Sequence, residues 1–177
     1  ETTLAFNDTE ERVIARRRWL HQDLLVREAP IAPDPDQAAR LLAEAAARDA
    51  LAALAPSAAA RALLARAACL REWRPELGLP DLREALAELL PELCRGCLSF
   101  ADLRRRDLSS ALRGLLGGAG LAALDQLAPE RIEVPSGALL PLVYEPGRPP
   151  VLAVQLQHLF GLGEGPKVAG RVPRSEG

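Results

Sequence analysis

The core of this chain has to be built from aliphatic side chains. Apolar residues make up 49% of its 177 residues, but aromatic residues make up only 3%. Alanine, leucine and valine must therefore fill the interior, and this composition, with charged residues interspersed, favours helices. The length is sufficient for one ordinary domain or two small ones.

The N-terminal segment differs from the rest because its apolar residues alternate. Residues 2–6, 12–20 and 24–26 predict three strands, with turn residues at 7–10 and Pro30 ending the third strand. A three-strand meander of this length is marginally stable alone. We therefore expect residues 1–35 to complete a β domain whose earlier strands precede Glu1.

Residues 36–128 have helical periodicity and helix-start signals. The predicted N-caps are Asp34 before Pro35, Ser57, Asp81 and Ser99, and Asp107 is a further predicted helix start. Glycines at 117–120 interrupt the last apolar run. These signals predict a bundle of about five short helices.

The pattern changes again at Pro129. Residues 131–134, 139–144 and 151–154 predict short strands, with a turn at 135–137, and a short helix is predicted at 155–160. Residues 129–177 are expected to begin a C-terminal β unit. The predicted fold class is α+β, mainly α, with a short β meander, the helix bundle and this small β unit.

No complete catalytic motif is present in the sequence. Both a phosphate-binding loop and a nucleophile elbow are missing, so we expect no catalytic residue. Cys94 and Cys97 form a Cys-x-x-Cys pair without the βαβ context of redox proteins or two further zinc ligands at typical spacing. Incidental buried thiols are favoured, and a metal-stabilised module is the weaker alternative.

Basic side chains are clustered locally, although the net charge of −2 gives no global basic surface. On a strand, Arg16 and Arg18 share one face about 7 Å apart, a spacing that suits neighbouring phosphates. They are the main nucleic-acid-binding candidates, and Arg171 is a third. Trp19 and Trp73 could stack on bases, although tryptophan is more often structural. Residues 104–106, all arginine, predict a solvated helix face.

The chain has no sign of secretion or membrane insertion. It has no apolar run near the ~20 residues that span a bilayer, no signal peptide, and an odd number of cysteines, three. We expect a cytoplasmic protein that does not contact a membrane. Because the chain lacks methionine and begins at Glu1, we also expect it to be a fragment or a processed product.

Several segments are specific enough to compare with a known family. Near the end of the chain they are 132–137 (IEVPSG), 149–157 (PPVLAVQLQ) and 159–162 (LFGL). Earlier ones are VIARRR at 13–18, LPDL at 79–82, SFADL at 99–103, DL at 107–108, ALR at 111–113 and LAP at 127–129. In this order they resemble the C-terminal region of HrpB-type bacterial DEAH-box ATP-dependent RNA helicases, and the segments near the end are the most specific. The glycines at 117–120 and Val143 depart from the family pattern, and the match ends near residue 173, so the last β unit is expected to be incomplete.

The resemblance implies a role without chemistry in this chain. ATP and Mg²⁺ would be bound by a motor encoded upstream, and no cofactor is expected here. The meander would close an OB-like domain, a type that tracks single strands. The chain would contribute RNA binding or positioning, with single-stranded RNA and the motor lobes as partners. The alternative is a protein-interaction scaffold that docks the motor lobes through its helix faces without touching RNA.

Overall fold

The protein is described by a computed structural model that covers residues 1–21, 24–134, 137–153 and 174–176. The chain forms two compact units. The first unit contains Glu1–Pro56 and Leu86–Leu108, and the second contains Ser57–Ala85 and Ser109–Gly177. The predicted boundaries at residues 35 and 128 follow the type of secondary structure and stay a prediction.

The predicted N-terminal meander is confirmed. Strands β1 (Thr2–Asn7), β2 (Arg12–His21) and β3 (Leu24–Ile31) form an antiparallel sheet in the order β1-β2-β3. The Asn7 side chain accepts hydrogen bonds from the backbone N–H groups of Thr9 and Glu10 and so stabilises the first turn.

The third strand is longer than predicted. We expected Pro30 to end it, but β3 continues to Ile31, and Pro30 lies opposite Arg16. β3 is an edge strand, where a residue without an N–H is tolerated if that position faces away from the neighbouring strand.

Helices make up the middle of the chain, as predicted. They are α1 (Pro35–Ala47), α2 (Ala50–Leu54), α3 (Ala58–Trp73), α4 (Leu82–Leu93), α5 (Phe100–Arg104) and α6 (Leu108–Leu127), with a 3-10 turn at Pro75–Leu77. Gly117 has φ +66° and interrupts α6, which confirms the predicted break. The short helix α2 was not predicted. No helix in the described part of the chain is both long and apolar enough to cross a bilayer.

The predicted helix caps are formed in the structure. The side chains of Asp34, Ser57 and Ser99 each accept a hydrogen bond from the backbone N–H three residues further on. Asp81 accepts from the N–H groups of Arg83 and Glu84 at the start of α4. Each cap satisfies donors that have no partner within the helix.

In the first unit the meander is covered by helix α1. Helix α1 contacts β1 and β2, and α2 contacts α1 and α5. The buried face of α1 is alanine-rich, with Leu42 fully buried, so little side-chain volume separates the helix from its neighbours. The rings of Phe6 and Phe100 lie 5.0 Å apart, and Val13 N–H donates to the Leu98 carbonyl at 2.8 Å.

In the second unit a small sheet follows α6. Strands β4 (Arg131–Glu133), β5 (Leu139–Val143), β6 (Val151–Ala153) and β7 (Arg174–Glu176) are ordered β4-β5-β6-β7, with only the β6–β7 pair parallel. The first three confirm predicted strands, and β7 was not predicted. The predicted helix at 155–160 and residues 135–136 of the predicted turn lie outside the described residues.

The cap of α5 predicts a pH-dependent contribution to stability. Asp102 accepts hydrogen bonds from the Leu98 N–H (3.1 Å) and the Ser99 hydroxyl (2.8 Å), and the backbone N–H of Asp102 donates to the Ser99 hydroxyl oxygen. The two bonds to its carboxylate, first the one from Leu98 and then the one from Ser99, lower the pKa of Asp102, and Arg105 lowers it further. A lowered pKa stabilises the fold above the ordinary carboxyl pKa, and that stability is lost as the pH falls through the folded-state value.

We therefore expect Asp102→Asn to lower the free energy of unfolding by about 1 kcal/mol at neutral pH. The difference should shrink as the pH falls from neutral through the folded-state pKa of Asp102, where the parent carboxyl becomes protonated. Urea denaturation across this pH range measures it. Glu44→Gln, at an exposed position of α1, is the control, and a difference that does not change with pH would contradict the prediction.

Candidate nucleic-acid interface

The predicted candidates Arg16 and Arg18 lie together on β2. Both side chains are exposed, and both approach one carboxylate oxygen of Glu28 on β3, at 3.1 Å from Arg16 Nη1 and 3.7 Å from Arg18 Nε. Glu28 is directly opposite Arg18 in the strand register. The shared face is as predicted, but Glu28 offsets part of the positive charge. The third candidate, Arg171, lies outside the described residues.

The other face of the same strands carries a second basic group. Trp19 is 41% exposed, and the guanidinium carbon of Arg27 lies 5.2 Å from its ring centroid. Arg27 is directly opposite Trp19 in the register. Arg17, two residues before Trp19, is exposed and has no acidic partner among the described residues. Arg17, Trp19 and Arg27 are called the Trp19 face below.

The Trp19 face lies on the same side of β2 as the buried residues of that strand, at the end of the strand that is exposed to solvent. Val13 and Ala15, at alternate positions before Arg17, are buried, whereas the strand from Arg16 onwards is exposed. Arg17 and Trp19 therefore extend the core-facing side of the sheet beyond its covered part. Sequence reasoning missed Arg27, because its position opposite Trp19 depends on strand register.

The two tryptophans have different environments. Trp73 is buried, and its ring lies 6.1 Å from that of Tyr144. Tyr144 donates to the Pro129 carbonyl at 2.6 Å, and burial raises the pKa of its hydroxyl. Trp73 is therefore a core residue, and Trp19 is the tryptophan with a ring available for stacking.

The arginines at 104–106 are exposed, as the sequence predicted, but they also bind groups within the fold. Arg104 forms a two-point ion pair with Glu11 (2.7 and 3.1 Å) and donates to the Ala53 carbonyl at 3.1 Å. The next two arginines bind the Asp102 carboxylate and the Arg95 carbonyl. The contacts of Arg104 join parts of the chain that are distant in sequence, so this arginine stabilises the fold.

The cysteine pair is buried. Cys94 and Cys97 are free thiols without solvent contact, and Cys69 is likewise free and buried. Burial raises the pKa of the Cys94 thiol to about 11, which disfavours the thiolate needed for redox or metal chemistry. Among the residues that the structure describes, no three potential metal ligands come together.

Comparison with known proteins identifies the family. Residues 89–175 match the family model HrpB_C, ATP-dependent helicase C-terminal. Residues 89–175 are an HrpB-type helicase C-terminal domain. Over 97% of its length, the chain is 33% identical to the ATP-dependent RNA helicase HrpB of Escherichia coli strain K12, of which it covers 22%.

The HrpB resemblance also holds at the level of structure. A crystal structure of the E. coli DEAH/RHA helicase HrpB matches 98% of the chain with a TM-score of 0.68 and 32% identity. A crystal structure of the E. coli DExH-box NTPase HrpB matches 98% with a TM-score of 0.72 and 31% identity. The chain covers 23% and 22% of those proteins. It thus spans about a fifth of the HrpB relatives, and the recognition made from the sequence is confirmed.

Proposed function

We propose that the chain is a non-catalytic accessory region of a cytoplasmic ATP-dependent RNA helicase that binds or positions single-stranded RNA for a motor encoded upstream. ATP and Mg²⁺ would be bound by that motor. The lobes of the motor would be the intramolecular partners of this chain. The HrpB similarity supports the helicase context. The observation that carries the RNA-binding role is the Trp19 face, which presents an exposed aromatic ring between arginines.

The Trp19 face supports single-strand binding better than Arg16 and Arg18 do. Proteins that bind single strands without sequence preference combine aromatic stacking with cations along the backbone. Trp19 provides the ring and Arg17 provides a cation without an acidic partner among the described residues. Arg16 and Arg18 share Glu28 instead, so we assign them a secondary electrostatic role.

We expect binding to be salt-dependent and weak in isolation. With two or three phosphate contacts, affinity for a single-stranded oligoribonucleotide should fall roughly tenfold between 50 and 200 mM salt. Fluorescence anisotropy of a labelled oligouridylate, titrated with the whole chain at both salt concentrations, measures this. Absence of binding at 50 mM salt would overturn direct RNA contact, and salt-independent binding would overturn the phosphate contacts.

A second candidate function is docking of the motor lobes without RNA contact. The exposed side chains of Leu20, Leu25 and Val26 at the outer end of β2 and β3 favour it, since Leu25 and Val26 are more than half exposed. These apolar residues lie on strands, not on the helix faces where docking was expected. Leu20→Ser with Val26→Ser should weaken association with separately expressed motor lobes if this function holds, and should leave RNA affinity unchanged.

A further inference from the structure

The second unit contains a surface pocket that the RNA-binding proposal does not use. Its volume is about 480 Å³, and it lies between the N-terminal part of α3 and strand β5. Its walls include the apolar side chains of Ala62, Ala65, Leu142 and Val143. This volume lies within the range of small-molecule sites, which are mostly apolar with a few polar groups that orient the ligand.

The charges around the pocket do not all cancel. Arg66 pairs with two carboxylates, Glu130 at 2.8 Å and Asp125 at 3.2 Å, so this group has one negative charge in excess. Glu145 is paired with Arg148 at 2.9 Å.

Two lining arginines, Arg61 and Arg131, remain. Both are exposed, and neither has an acidic partner in the described part of the chain. Two guanidinium groups without an acidic partner therefore stand beside an apolar wall, although the second carboxylate on Arg66 lowers the net charge of the pocket and its ion-pair partners to +1.

We propose that this pocket binds a nucleoside monophosphate, either as a free nucleotide or as the phosphorylated end of an RNA strand. The apolar wall suits the flat face of a nucleobase. Guanidinium groups bind phosphate through paired charge-assisted hydrogen bonds. A terminal phosphate carries nearly two negative charges near neutral pH and so matches Arg61 and Arg131 together, whereas a single carboxylate would neutralise only one of them.

The first test compares ligands on the unmodified chain. Isothermal titration calorimetry with AMP and with adenosine measures how much the phosphate contributes to binding. We expect AMP to bind at least about tenfold more tightly than adenosine, because its phosphate gains charge-assisted hydrogen bonds. No saturable binding of AMP up to about 1 mM, or equal binding of AMP and adenosine, would overturn the proposal. This comparison needs no variant and so does not depend on the folding of one.

The second test determines whether the phosphate binds to the two arginines. Arg61→Gln and Arg131→Gln should each weaken AMP binding by about tenfold. Arg83→Gln, an exposed arginine of the same unit outside the pocket, should leave it unchanged. Thermal denaturation checks that each variant is folded. AMP affinity that is the same in the parent and both variants would overturn the assignment.

The third test identifies the source of the phosphate. Tighter binding of a 5′-phosphorylated than of a 5′-hydroxyl oligoribonucleotide, lost in Arg61→Gln, identifies an RNA end. AMP binding without that preference identifies a free nucleotide, and both results support the pocket. Trp19→Ala should leave AMP binding unchanged, so failure of the RNA-binding proposal is distinguishable from failure of this one.

Discussion

Arg66→Ala is expected to lower the free energy of unfolding by about 3 kcal/mol, the largest stability effect that we predict. Arg66 lies on α3, and its side chain is only 4% exposed. Its Nε donates to the Ala128 carbonyl at 2.7 Å, and its Nη atoms donate to Glu130 at 2.8 Å and to Asp125 at 3.2 Å. One guanidinium thus connects α3 to the end of α6 and to the residue before β4.

The three acceptors of Arg66 contribute unequally to the loss of stability in Arg66→Ala. Ala128 is fully buried, so its carbonyl would lose its side-chain donor in an environment where an unsatisfied acceptor costs about 1–3 kcal/mol. Asp125 and Glu130 are 80% and 70% exposed, so their carboxylates would regain water and contribute little. The lost packing of a buried side chain adds to the total.

Two further variants make this test specific, with urea denaturation as the measurement. Arg61→Ala, at an exposed position of the same helix, should change stability by no more than about 0.5 kcal/mol. The loss of stability in Arg66→Lys should lie between the losses in Arg61→Ala and Arg66→Ala, because an ammonium group cannot reproduce the planar fork of donors. Equal destabilisation by Arg61→Ala and Arg66→Ala would contradict the prediction, because the loss would then not depend on the buried contacts of Arg66.

Much of the fold could be predicted from sequence because its signals are local. The caps at Asp34, Ser57 and Ser99, the break at Gly117 and the alternation in β2 each depend on a few neighbouring residues. The features that sequence reasoning missed depend on tertiary context. β7 is defined by pairing with β6, and the extension of β3 through Pro30 is possible because β3 lies at an edge.

The candidate interface was only partly predictable for the same reason. Strand alternation correctly places Arg16 and Arg18 on one face. Register decides which residues stand opposite them, and the register between β2 and β3 shifts between Trp19 and Leu20. A displacement by one residue would exchange Glu28 and Arg27 between the two faces, so sequence alone could not tell which face is neutralised by an acid.

The contacts of Arg104 could not be predicted either, because its partners are distant in the sequence. Its acceptor Glu11 is 93 residues away in sequence, and the Ala53 carbonyl is 51 residues away. The run of three arginines is exposed, as its sequence predicts, and nothing local shows that Arg104 also has acceptors far away in the sequence. The role of Arg104 in the fold becomes evident only when those distant partners are brought next to it.

The strongest expected effect on RNA binding is that of Trp19→Ala. Stacking of one base on an aromatic side chain contributes about 1–3 kcal/mol, so the substitution should weaken binding of single-stranded RNA by roughly ten- to a hundredfold. Arg17→Gln should have a smaller effect and should reduce the salt dependence by about one phosphate contact. Anisotropy titrations at low salt measure both, with thermal denaturation as the check on folding.

Glu28 provides the most direct comparison of the two faces. Its carboxylate holds Arg16 and Arg18, so Glu28→Gln should release both guanidinium groups and strengthen RNA binding, most clearly at low salt. Arg16→Gln in the parent chain should weaken binding less than Arg17→Gln does, because Arg16 is already partly neutralised. If Trp19→Ala has no effect while Arg16→Gln abolishes binding, the RNA contacts the opposite face of the sheet, and the original candidates Arg16 and Arg18, not the Trp19 face, form the interface.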